Sequence, residues 1–351
     1  MASIPLLRRA GRCLDEAWRG PAAPLRRAAS LLLSLALLLS ACGVEEPLRL
    51  LHASYDPTRE LYHDINTAFA LEFRRQEGRE LRVQMSHGGS GKQTRAILDG
   101  LPADVVSLAL PWDMLQLEKA GLLQPGWDKV RPHGSCPYYS TIVFLVRSGN
   151  PKGVHGWDDL LRPDVKTICA NPKTSGGARC AYLAAWAWGL RRGSAAAEAL
   201  VASIFGRAPV LDAGARAATT SFVERGLGDV LLTWENEAWL AKAANPEAGL
   251  EIVVPSQSLR CPLPVAVVLS GTGDPARRRL AERYVDYLFT PPAQALAARH
   301  HFRPWDDAQA ERAGFPRLKL VSVEALGAWP DLQAEHFAAG GRLDRILEAR
   351  R

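Results

Sequence analysis

The sequence predicts an α/β protein of two lobes joined by a pair of extended crossovers. Three observations carry this: apolar strand-like runs alternate with amphipathic helical stretches, the alternation comes in two sets, and apolar extended segments near 137–147 and 255–269 stand between them. At 351 residues, with 47% hydrophobic and 23% charged residues, the chain can bury one large core or two smaller ones.

The first 41 residues read as an address. Arg26 and Arg27 precede an apolar run from Ala28 to Leu39, shorter than the roughly 20 residues that span a bilayer and suited to a signal-peptide core. The run ends in Leu39-Ser40-Ala41-Cys42, which resembles the lipobox of bacterial lipoproteins. A signal peptide over 1–41, lipidation at Cys42 and a mature chain outside the cytoplasmic membrane follow from that resemblance. A non-lipidated signal peptide and an uncleaved anchor are the alternatives. The leader also explains the charge: of the net +6, the first 41 residues supply six Arg against Asp15 and Glu16, and the remainder balances 37 basic with 35 acidic residues. Overall basicity is therefore no argument for nucleic acid. Beyond the leader lie Cys136, Cys169, Cys180 and Cys261. They show neither CxxC spacing nor an accompanying His cluster, which argues against zinc. One or two disulfides, with 169 and 180 nearest in sequence, and buried thiols are both open.

Leu48 to Tyr55 reads as a strand. Pro57 followed by Leu61, Ile65, Phe69 and Phe73 reads as a helix with one apolar face. Leu81 to Met85 is the next strand, followed through glycines by a helical stretch, Gln93 to Leu98. Ala103 to Leu110 and Met114 to Ala120 form a further strand and helix. This alternation implies a parallel sheet. After Ser140 to Arg147, an apolar strand, the second set runs Thr167–Ala170, Gly177–Leu190, Val210–Asp212, Ala215–Arg225 and Asp229–Trp234. Strands at Ile252–Pro255 and Pro264–Leu269 and a helix at Asp274–Leu288 complete it.

The stretch Ser86-His87-Gly88-Gly89-Ser90-Gly91-Lys92-Gln93 invites comparison with a nucleotide-gripping loop and fails it. Five residues before Gly91 stands Ser86 instead of Gly, and Lys92 is followed by Gln93 instead of Ser or Thr. The physics of the glycines survives: a strand running through Gly into a helix leaves backbone N–H groups facing an anion at the positive end of that helix. Ser90 either caps the helix or donates its hydroxyl to a ligand. Asn171 to Arg179, with Ser175-Gly176-Gly177, repeats the device. Asp212 to Arg216 and Tyr55 to Thr58 make a third and fourth junction. Together they imply a cleft lined with donors from both lobes.

The motifs SYDPTRELY (54–62), SHGGSGKQ (86–93), NPKTSGGAR (171–179), FVERGLGDVLLTWENEA (222–238) and HFRP (301–304) resemble the bacterial periplasmic sulfate-binding proteins of ABC importers, including their thiosulfate-binding relatives. The resemblance runs from about residue 48 to the end. It implies a type II periplasmic-binding-protein fold, with one lobe from 42–138 and 258–351, including the C-terminal helices, and the other from 139–257. It also implies main-chain donors at Asp56, Gly176, Gly177 and Ala215, hydroxyls from Ser90 and Ser175, and the indole N–H of Trp234. Lys92, Arg179 and Arg216 lie beside this set without acting as counter-ions in the family pattern. The sequence departs from that pattern at Cys180, at Cys136 and Cys261 in the two crossovers, and at Ala217-Ala218.

The function so implied is non-enzymatic: a monomeric receptor without metal or cofactor that delivers sulfate or thiosulfate to a membrane permease. Molybdate, another unprotonated tetrahedral oxyanion, is the alternative within this class. A hydrolase using Ser90 or Ser175 is the alternative from another class, and it would require His87 beside Ser90 with a carboxylate behind it.

Overall fold

The computed structural model describes residues 46–269 and 273–349. The signal segment and Cys42 lie outside the described residues. Leu48–Arg351 forms one compact unit. Its first α/β set runs β1 (Leu48–Tyr55), α1 (Arg59–Glu77), β2 (Leu81–Gly88), α2 (Ser90–Leu98), β3 (Val105–Ser107) and α3 (Pro111–Lys119). The crossover carries β4 (Tyr139–Ser140) and β5 (Ile142–Arg147). The second set follows as β6 (Thr167–Ala170), α4 (Gly176–Leu190), α5 (Ser194–Val201), β7 (Leu211–Asp212), α6 (Ala215–Val223), β8 (Val230–Trp234), α7 (Glu235–Ala244) and β9 (Leu250–Val253). The return is made by β10 (Gln257–Pro262) and β11 (Val265–Val267). After it come α8 (Pro275–Tyr287), α9 (Pro291–Arg299), α10 (Asp307–Arg312), β12 (Lys319–Ser322), α11 (Trp329–Leu332) and α12 (Arg342–Glu348).

Two sheets make the cores of the two lobes. The first has the order β11-β3-β1-β2 and the second β7-β6-β8-β5-β9. Helix α1 covers the first with Leu61, Tyr62, Ile65, Phe69 and Phe73, one buried face at helical spacing, and stops at Gly78, whose φ of 70° is the left-handed cap that glycine tolerates. Strands β1, β2 and β3 are parallel, as are β6, β7 and β8. The sheets are nevertheless mixed where a parallel arrangement is expected: β11 is antiparallel to β3, and β5 to both β8 and β9. Both exceptions belong to the crossover segments, which reach their sheets from the other lobe and not over a covering helix. The crossovers themselves touch, β4 pairing with β10 through Ser140↔Cys261 and Tyr139↔Pro262.

Against the expectation that 258–351 all belong with the first lobe, the C-terminal segment lies on helices of the second. Phe337 packs edge-on to Tyr182 of α4 at 5.1 Å between ring centroids, and His336 bonds the Tyr182 hydroxyl at 3.1 Å. Lys173 meets Asp344 at 2.6 Å and Arg342 meets Glu198 at 2.8 Å. The aromatic face of α4, Tyr182 and Trp186, is the apolar surface this segment covers. Cys136, Cys169, Cys180 and Cys261 all stand as buried thiols. The neighbour of Cys180 is Cys261 on β10: burial raises the Cys261 thiol pKa, and Cys180 beside it raises it further.

Candidate functional site

Four chain junctions put the starts of short helical elements at one place. A turn of 3₁₀-helix, Asp56–Thr58, follows β1. Helix α2 starts at Ser90 after Gly89, α4 at Gly176 after Ser175, and α6 at Ala215 after Gly214. The leading N–H groups of such elements have no acceptor within the element. Asp56, Ser90, Ser175, Gly176, Gly177, Ala215 and Trp234 line a single small hollow, with Tyr55, Pro57, Gly89 and Gly214 between them. All seven residues singled out in the sequence are thus brought together. Two of the glycines are required by space: a Cβ on Gly177 would stand 2.3 Å from Nε1 of Trp234, and one on Gly176 would stand 2.6 Å from the Ala109 Cβ.

The two serines differ. Ser175 is the N-cap of α4, and its Oγ accepts from the Ala178 N–H at 3.3 Å, so its own O–H is left to point at a guest. Ser90 is neither a cap nor a hydroxyl donor to the hollow. Its O–H is given to Oδ2 of Asp113 at 2.7 Å, and its Oγ accepts the Ala109 N–H at 3.1 Å. A hydroxyl has one hydrogen, so what Ser90 offers the hollow is its main-chain N–H at the first position of α2. The expectation of a Ser90 hydroxyl ligand is corrected accordingly. Asp113, 23 residues on in α3, carries no local signal that would have revealed this.

Trp234 is 1% exposed and meets Tyr55 edge-on. Trp157, Trp188 and Trp305 each donate their indole N–H to a protein oxygen; that of Trp234 has no such partner among the described residues. The sole carboxylate belonging to a lining residue, that of Asp56, is paired with Arg59 at 2.7 Å. Burial holds the Tyr55 phenol far above its ordinary pKa, so it stays protonated. The donors available around the hollow are thus the N–H groups at the helical starts, the Ser175 hydroxyl and the Trp234 indole.

The residues after Trp234 lock this geometry. Glu235 binds Arg303 of the HFRP motif at 2.5 and 2.8 Å, with both side chains buried. Asn236 donates to the Pro57 carbonyl at 3.2 Å and accepts from Ser140, tying α7 to the Asp56 turn and to the crossover. Glu237 binds Arg216 at 2.9 Å, and Arg216 reaches Glu60 of α1 at 3.2 Å. Burial alone would raise the Glu60 carboxyl; Arg216 overrides it and holds the pKa below its ordinary value. Arg179 meets Asp113 at 3.2 Å and the Pro172 carbonyl at 2.9 Å. Arg179 and Arg216 are therefore structural pairs that each join the two lobes. Lys92 lines the outer part of the cleft.

Ser90, one of the two serines a hydrolase would use, bonds a carboxylate instead of a histidine, and Ser175 caps α4. His87 has a buried Nδ1 with no hydrogen-bond partner among the described residues and a pKa lowered to about 4, by burial first and by Arg59 second. Among the described residues no cluster of three His, Cys, Asp or Glu could hold a metal ion, and no helix is long and apolar enough to cross a membrane.

A family model described as bacterial extracellular solute-binding protein matches residues 59–303. The sulfate-binding protein of Escherichia coli (strain K12) is 45% identical over 319 residues, which cover 89% of this chain and 97% of that protein. The thiosulfate-binding protein of Pseudomonas aeruginosa is 40% identical over 324 residues, 91% of this chain and 97% of its own. Among solved structures, the sulfate-binding protein SubI from Mycobacterium tuberculosis H37Rv superposes with a TM-score of 0.75 at 32% identity. That match covers 83% of this chain and 100% of the other.

Proposed function

Since the chain belongs to the bacterial extracellular solute-binding protein family, we propose that it is a receptor that captures sulfate or thiosulfate and hands it to the membrane permease of an ABC importer. The observation that supports this reading is the gathering of four helical starts around one hollow, where the donors would be main-chain N–H groups at Asp56, Ser90, Gly176, Gly177 and Ala215, the Ser175 hydroxyl and the Trp234 indole. Sulfate is unprotonated at neutral pH, so each oxygen accepts and none donates. Phosphate retains a proton that would face another donor, a buried mismatch costing about 1 to 3 kcal/mol. Helix N-termini each add roughly 0.3 to 1 kcal/mol toward an anion, and charge-assisted hydrogen bonds about 1.5 to 3 kcal/mol apiece. Desolvation and closure consume most of that sum, which leaves an affinity near micromolar, roughly −8 kcal/mol.

The lobes are 42–138 with the return segment from 258, and 139–257, and they close on the anion; the closed form is what the permease reads. The protein works as a non-enzymatic monomer outside the cytoplasmic membrane, held there by lipid on Cys42. Calorimetric titration of the purified protein with sulfate, thiosulfate, molybdate and phosphate tests the reading. Sulfate or thiosulfate is expected to bind in the presence of excess phosphate. Equal affinity for phosphate would defeat the argument from donors, and preferred binding of molybdate would move the receptor to the larger oxyanion.

A further inference from the structure

The hollow opens at Asp56, Gly89 and Gly214 onto an outer cleft of about 1030 Å³, far larger than a tetrahedral anion needs. The two regions differ in kind. Inside, attraction comes from N–H dipoles, which fade within about one helical turn. Only full charges act on an ion still in solvent. The outer cleft has such charges, and most are already spent. Arg59 is paired with Asp56, Arg179 with Asp113, and Lys173 with Asp344. Lys92 and Arg95, both lining this cleft and both exposed, have no ion pair among the described residues. One carboxylate of the same lining, Asp99, is likewise unpaired and acts in the opposite sense.

We propose that Lys92 and Arg95 make the outer cleft an electrostatic antechamber, a capture surface that holds a hydrated dianion near the mouth before the closed hollow takes it. The inference rests on the receptor reading and adds a residue-level account of association. Both cations ride on α2, the helix whose first N–H faces the hollow at Ser90. At about 1.5 Å of rise per residue they stand roughly 3 and 7.5 Å along the axis from Ser90, within about one Debye length at physiological salt. Neither side chain is among the residues that line the hollow, so they act on arrival and not on the final bound state. The antechamber lets a pocket without a countercharge fill rapidly while the release of its guest remains governed by the dipoles.

Stopped-flow tryptophan fluorescence on the purified protein mixed with sodium sulfate separates the two steps, with chloride varied from low to high concentration. At low salt, Lys92→Gln/Arg95→Gln is expected to lower the association rate constant about 3- to 10-fold with the dissociation rate constant within about twofold of wild type. The gap should close at high salt. Arg95→Lys should keep the wild-type rate, and Asp99→Asn should raise it, a change of opposite sign that damage to the fold does not produce. Equal association rates for wild type and double variant at low salt, or a loss confined to dissociation, would overturn the antechamber while leaving the receptor intact. A wild type that gives no heat or signal with sulfate or thiosulfate would overturn the receptor reading and the antechamber with it.

Discussion

A single methyl group on Gly177 would occupy the space where the Trp234 indole nitrogen now lies, 2.3 Å from the added carbon. Gly177→Ala should therefore displace a donor without touching a charge, lowering sulfate affinity about 10- to 100-fold, the worth of one charge-assisted hydrogen bond. Calorimetry alongside thermal melting would separate this loss from loss of fold. The two serines supply a sharper comparison. Ser175→Ala removes a cap and a donor and should cost a similar factor, whereas Ser90→Ala leaves the main-chain N–H in place and should cost less than about 10-fold. The reverse order, read by the same titration, would show the Ser90 hydroxyl to be the ligand after all. At this scale the sequence was informative about which residues gather and uninformative about which atom Ser90 presents. Motifs such as SGGAR record the backbone a helix start needs, but the proton of Ser90 is claimed by Asp113, a partner supplied by tertiary packing.

Helices α3 and α4 are joined across the cleft by Asp113 and Arg179, whose side chains are 4% and 10% exposed. Helices α1 and α6 are joined by Glu60 and Arg216, whose side chains are 37% and 39% exposed. Screening by solvent separates the two. Removing one partner of a buried pair strands the other, while a pair this accessible contributes about 0 to 1 kcal/mol. Arg179→Gln is expected to speed anion release about 10-fold or more, and Glu60→Gln to change it less than about 5-fold. Stopped-flow displacement of bound sulfate would measure both. Equal effects would mean that burial does not set the strength of the latch. Element identity was largely legible, because periodicity and the strand-to-glycine-to-helix junctions are local. Strand direction in β5 and β11 was not, since a crossover strand takes its partner from sheet geometry that no stretch of residues encodes.

The molecule as a whole carries a buried polar centre in the first lobe. The Tyr284 hydroxyl donates to Asn66 at 2.7 Å and so accepts from Nδ1–H of His52 at 3.0 Å, leaving Nε2 to accept from Ser107 at 2.9 Å. The network thus assigns a neutral imidazole. Burial, with a smaller contribution from His87, lowers the His52 pKa to about 3. The unfolded chain, titrating near its ordinary 6.5, binds the proton first, so stability is complete above about pH 6.5 and falls as pH drops toward 3. The loss should reach roughly 3 kcal/mol by pH 4.5 and on the order of 4 to 5 kcal/mol below pH 3. Denaturant midpoints at pH 7 and 4.5 would show it, and a His52→Asn variant should have a flatter pH profile. A wild-type midpoint that does not move would place the proton elsewhere.

Phe337, Asp344 and Arg342 meet the second lobe at Tyr182, Lys173 and Glu198 after a detour of roughly eighty residues through the first, from 258 onward. That lobe cannot cover Tyr182 and Trp186 until His336 and Phe337 have been synthesised. A ribosome cannot release it as a finished half, and the early chain must wait, with its aromatics bare, for its own tail. Deleting residues 336–344 would bare Tyr182 and Trp186, a defect far in sequence from the cut.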